Sequence, residues 1–196
     1  STVALQDFLS RPTESTEWLI EGLQPMNTRV LLAAQAKAGK TTLVANLIKA
    51  LADEETFLDQ YPTRFHGTVT LIDNEMNDAM LQRWLKRLNI RNPESVRIVT
   101  LRGHEADFNI LNEQVRRRWA EILSGTDYLI LDCLRPIMDA LALDENREAG
   151  TFLSAFGQLL YEAEIDNSLL IHHMGHDGDR ARGASRITDR PDATWT

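Results

Sequence analysis

The stretch Ala34-Gln35-Ala36-Lys37-Ala38-Gly39-Lys40-Thr41-Thr42 constrains this chain more than any other. It lies between an apolar run, Arg29–Ala34, and a helical one, Leu43–Ala52. A glycine, four residues and Gly-Lys-Ser/Thr between a strand and a helix make a phosphate-binding loop. Consecutive backbone N–H groups and the positive helix end hold the phosphates. Lys40 then reaches the β- and γ-phosphates and the Thr41 hydroxyl holds Mg²⁺. Ala34 stands where the pattern has its first glycine, so a negative φ is expected there. Gly39 keeps the glycine nearest the phosphates.

The rest of the chain supplies the sheet that such a loop needs. Arg29–Ala34, Thr68–Asp73, Val96–Leu101, Tyr128–Asp132 and Ser168–His173 are apolar strand-like runs. Three helical stripes fall between them: Met80, Leu81, Trp84, Leu85 and Leu88; Val115, Trp119, Ile122 and Leu123; Phe152, Leu153, Phe156, Leu159 and Leu160. Alternating strands and helices predict an α/β fold, a mostly parallel sheet with helices on both faces. Residues 1–24 read as a lead-in, with a helix-like piece at Val3–Leu9, and residues 25–196 as one domain. The start at Ser1 and the end just past Trp195 suggest a piece of a longer protein. No run approaches a membrane span, and a single cysteine, Cys133, suggests a reducing, cytoplasmic setting. The net charge of −8 argues against a wholly basic nucleic-acid-binding domain, though not against one local basic loop.

Ligands of parallel sheets bind beyond the carboxyl ends of the strands. The Tyr128–Asp132 run ends on Asp132, a candidate Mg²⁺ ligand through water. Cys133 follows it, so a carboxylate to activate water must come from elsewhere. Glu75, just past the Thr68–Asp73 run, can accept a proton from water; alternatively it caps the next helix. The last run ends His172-His173-Met174-Gly175-His176. Adjacent strand residues point to opposite faces, which argues against His172 and His173 sharing one metal ion. A polar side chain there could instead contact the γ-phosphate.

The loop from His176 to Asp192 carries Arg180, Arg182, Arg186 and Arg190 against four aspartates. It reads either as a solvated surface loop or as one that touches single-stranded nucleic acid or supplies an arginine to a neighbour's ATP. Arg116-Arg117-Arg118 reads as a solvated helix face. Trp84 and Trp119 read as packing residues, and Trp18 as a possible adenine neighbour.

Four segments, residues 36–42, Ile72-Asp73-Asn74-Glu75-Met76, residues 129–136 and residues 170–176, together resemble the RecA-like ATPases. Within them the chain is similar to the RepA-type hexameric replicative helicase ATPases of plasmids and phages. Arg182-Gly183-Ala184-Ser185 also resembles the stretch after that family's histidine strand. The resemblance implies Mg²⁺-dependent ATP hydrolysis with Lys40 and Thr41 on phosphate and metal. It also implies Asp132 on the metal side, Glu75 polarising water, and His173, rather than His172, sensing the γ-phosphate. It further implies a hexameric homo-oligomer on single-stranded DNA, with a trans arginine for which Arg182, Arg186 and Arg190 are candidates. A full core of that kind has more strands than this chain shows. A recombination or repair ATPase, or a nucleotide-dependent regulatory module, are the other readings.

Overall fold

The structure, a computed structural model, describes residues 2–11, 16–35, 38–174 and 191–196. The first elements are a short helix α1 (Leu5–Leu9) and a small antiparallel pair, β1 (Trp18–Ile20) with β2 (Gln24–Pro25). The main sheet is built from β3 (Arg29–Gln35), β4 (Val69–Asp73), β5 (Val96–Thr100), β6 (Tyr128–Asp132), β7 (Asn167–Met174) and β8 (Ala193–Trp195). Its order is β5-β4-β6-β7-β3-β8, and every pairing is parallel. The five strands expected from the sequence are present within a residue at each end. The sixth, β8, is three residues long, too short to show a pattern of its own.

Five longer helices cover the sheet: α2 (Lys40–Asp53), α3 (Asp78–Leu88), α4 (Glu113–Leu123), α5 (Leu134–Ala140) and α6 (Glu145–Glu162). Alternation along each strand divides its side chains between two cores. Leu31, Ile72, Leu129, Leu131 and Leu170 face α4, α5 and α6. Val30, Leu32, Leu71, Ile130, Leu169 and Ile171 face α2 and α3, together with Leu19 and Ile20 of β1. Central strands buried on both faces explain the continuous apolar runs. The expected stripes are too wide at two places: Met80 of α3 and Ile122 of α4 face solvent, because each helix has only one covered side.

β8 is fastened to the far edge by small contacts. The Arg29 N–H donates to Asp192 Oδ2 at 2.8 Å, and the Asp192 N–H donates to the Arg29 carbonyl at 2.9 Å. Trp195 stacks on Phe57 with ring centroids 6.2 Å apart. A cavity of about 430 Å³ lies between α6 and the amino-terminal halves of β3 and β7, and none of Lys40, Glu75, Asp132 and His173 lines it. Among the described residues no helix is long and apolar enough to cross a membrane.

Candidate functional site

The predicted phosphate loop occupies its expected place, between the carboxyl end of β3 and the start of α2. Ala34 lies inside β3 and has no left-handed φ, so the missing glycine is accommodated by ordinary strand geometry. Gln35 ends the strand, and Ala36 and Lys37 lie outside the described residues. Ala38 and Gly39 are exposed; Gly39 precedes α2 with φ +86°, a conformation L side chains rarely adopt. Lys40 opens the helix, three residues earlier than the sequence reading began it. Its ammonium is held by the Gln35 carbonyl at 2.7 Å and the Ala34 carbonyl at 3.3 Å. Thr41 is half-buried and Thr42 exposed.

Strand parity brings the other candidates to this side of the sheet. Asp73 continues the row of Val69 and Leu71, Asp132 that of Tyr128 and Ile130, and His173 that of Leu169 and Ile171. All three rows face α2. His172 lies on the opposite row and is buried, so the two histidines diverge as expected.

The ends of β4 and β6 are locked together. Asp73 and Asp132 are direct partners in the register. The Asn74 N–H donates to the Asp132 carbonyl at 2.9 Å. The Asn74 amide then closes a ring with the backbone of Cys133: its Oδ1 accepts the Cys133 N–H at 2.9 Å and its Nδ2 donates to the Cys133 carbonyl at 2.7 Å. The Asp132–Cys133 peptide is cis.

Glu75 sits beyond this lock and outside α3, whose cap is Asn77, accepting the Met80 N–H at 2.9 Å. The capping role left open for Glu75 thus belongs to Asn77. Glu75 Oε1 instead meets His173 Nε2 at 2.7 Å and accepts from the Cys133 thiol at 3.3 Å.

The electrostatics are those of crowded acids. Burial, then Glu75 and Asp73, push the Asp132 carboxyl up to about 7, against the opposing pull of Lys40. Asp73 is raised too, mainly by burial; its Oδ1 accepts the Met76 N–H at 2.8 Å, while its Oδ2 has no hydrogen-bond partner among the described residues. Burial and the neighbouring Glu75 and Asp132 carboxylates also push the Cys133 thiol up. Hard oxygen donors with excess buried negative charge and one orphaned carboxylate oxygen fit a Mg²⁺ ion.

Sequence reasoning missed Asp73 and Asn74. The same attention to strand ends that found Asp132 would have found Asp73. Arg182, Arg186 and Arg190, with the remainder of the loop at 175–190, lie outside the described residues. Trp18 is half-buried in β1, opposite Pro25.

A family model described as an AAA domain matches residues 1–179. No curated protein sequence matches the chain. A KaiC-like protein from the hyperthermophilic archaeon Pyrococcus horikoshii is 22% identical with a TM-score of 0.57, over 86% of this chain and 71% of that one. An ATPase from the type III secretion system of pathogenic bacteria is 12% identical with a TM-score of 0.51, over 88% of this chain and 52% of that one. At these identities the likeness is one of fold. The RecA-like P-loop α/β fold expected from the sequence is therefore the fold of this chain. The RepA-type branch is not singled out by these matches.

Proposed function

We propose, for a chain that belongs to the AAA domain family and carries a RecA-like P-loop ATPase core, that it hydrolyses ATP by in-line attack of water to drive movement on single-stranded DNA. What supports this reading is the convergence of Glu75, His173 and Asp132 on the α2 side of the sheet, beside Lys40. The backbone of residues 34–42 cradles the phosphates at the positive end of α2. Lys40 leaves the carbonyls of Ala34 and Gln35 for the β- and γ-phosphates. Thr41 and Asp132 would hold Mg²⁺, which when bound neutralises charge on the phosphate oxygens. Glu75 orients the attacking water and accepts its proton. His173, hydrogen-bonded to Glu75, contacts the γ-phosphate and registers its loss. An arginine from a neighbouring subunit, Arg182 or Arg186, completes the charge stabilisation within a hexameric replicative-helicase ring.

Glu75→Gln tests the assignment directly. It should leave ATP binding within about twofold and lower turnover roughly 10²- to 10⁴-fold, the usual worth of a positioned base. Turnover near the wild-type rate would remove Glu75 from this role. The DNA reading is tested by ATPase rate with and without single-stranded DNA. The net charge of −8 favours the rival, a nucleotide-dependent module with no DNA track. Equal rates in the assembled protein would decide for that rival.

A further inference from the structure

Glu75, Cys133 and His173 carry a donor set that magnesium chemistry does not use. Each offers one ligand atom, and the three atoms lie within 4.8 Å of one another. Two of the separations are 3.3 Å, from Cys133 Sγ to Glu75 Oε1, and 2.7 Å, from His173 Nε2 to the same oxygen. In a tetrahedral zinc site the bond lengths to nitrogen, oxygen and sulfur put donor atoms about 3.3–3.6 Å apart. The third separation, Cys133 Sγ to His173 Nε2, is within 4.8 Å, so the triangle is of the size that such a site spans. The three residues come from separate elements, the β4–α3 loop, the β6–α5 junction and β7, all anchored by the sheet.

Thiolate, imidazole and carboxylate together form a borderline-soft set that selects Zn²⁺ and Co²⁺ over Mg²⁺. The hard donors at Thr41 and Asp132 select the reverse. Cys133 is buried, while the side chains of Glu75 and His173 are 36% and 22% exposed, so the cluster is reachable from solvent through those two. We infer that Glu75, Cys133 and His173 form a transition-metal site for an ion of the Zn²⁺ class, with three protein ligands and a fourth position open to solvent. Binding converts the Cys133 thiol to a thiolate, its proton passing to solvent. A carboxylate that shares its charge with zinc is a much weaker base toward water. Zn²⁺ therefore stops ATP turnover, a consequence that rests on the role proposed for Glu75, whereas the binding itself does not.

The test is Co²⁺ titration of the whole chain in excess Mg²⁺, read as the near-ultraviolet charge-transfer absorption of a cobalt–thiolate bond. Because the chain has one cysteine, that band identifies Cys133 without any substitution. The expected result is a band saturating at one equivalent, indifferent to added Mg²⁺ and abolished by Zn²⁺. Cys133→Ser should lose it. His173→Gln should keep it and weaken Zn²⁺ binding at least roughly tenfold. No band in the folded wild-type chain, or a band that excess Mg²⁺ removes, overturns the site. A normal band with full ATPase activity in saturating Zn²⁺ leaves the site standing and overturns the role of Glu75 instead.

Discussion

Asn74 uses both halves of its amide on the backbone of one residue, Cys133, and is itself almost wholly buried. It therefore fixes where Asp132 and Cys133 sit relative to Glu75, one residue further along. Asn74→Ala would strand the N–H and the carbonyl of residue 133 in the interior. Each orphaned group costs about 1–3 kcal/mol, so unfolding in urea should show a loss of about 2–6 kcal/mol. Turnover should fall further than nucleotide affinity, since the hydrogen bonds of Asn74 go to Asp132 and Cys133. A loss under about 0.5 kcal/mol would show that the amide is replaceable by water. The placement of Lys40 and Thr41 at the start of α2, and of Asp132 and Glu75 at strand ends, was legible in the sequence because each is marked locally, by a motif or a strand end. The divergence of His172 and His173 was legible from parity alone. Asn74 was not legible, because its work depends on the register that sets Asp73 beside Asp132, a pairing between segments far apart in the chain.

At the scale of elements, α2 is tied down at both ends. Its first residue, Lys40, bonds the carbonyls of Ala34 and Gln35, and its last, Asp53, has a side chain with no solvent exposure. Asp53 Oδ1 accepts the N–H groups of Arg91 and Asn92 at 2.8 and 3.0 Å, and Oδ2 meets Lys49 at 2.8 Å. This joins the end of α2 to the segment that leads into β5. Burial alone would raise the Asp53 carboxyl; the Lys49 bond and the two backbone donors outweigh it and hold the group below its ordinary value. A depressed folded value means stability that is present above the unfolded value of about 3.9 and fades as pH falls through the folded one. Asp53→Ala should cost about 2–4 kcal/mol at neutral pH, from orphaned backbone donors and a lost ion pair. Asp53→Asn keeps an acceptor and loses the charge. Its deficit against wild type should narrow as thermal melts are moved from pH 7 to below about pH 4. A deficit constant across that range would show that the charge contributes nothing. The helix was visible in the sequence, but its partner segment at residues 91–92 was not, since a polar side chain reaching across a loop leaves no periodic trace.

The sequence announced a parallel sheet but not its order, because strand order is decided by crossovers between distant segments. That order matters to the whole molecule. It collects Glu75, Asp132 and His173 along one edge, with Lys40 the cation opposing the raised Asp132 carboxyl. Transfer of a γ-phosphoryl group spreads negative charge over its oxygens, and an arginine in place can be worth about 10³-fold or more. The reading that a neighbour supplies this arginine has a consequence no single chain can mimic. The double variant Arg182→Ala/Arg186→Ala keeps an intact Glu75 and lacks the donor; Glu75→Gln keeps the donor and lacks the base. Each should be nearly inactive by itself. In a ring every interface joins the site of one chain to the donor of the next, so random one-to-one mixing makes about a quarter of the interfaces complete. ATPase activity of the mixture should then return to about a quarter of wild type, rising with protein concentration as assembly proceeds. If the arginine acts within its own chain, the mixture stays as inactive as its components at every concentration, and the shared-site reading fails.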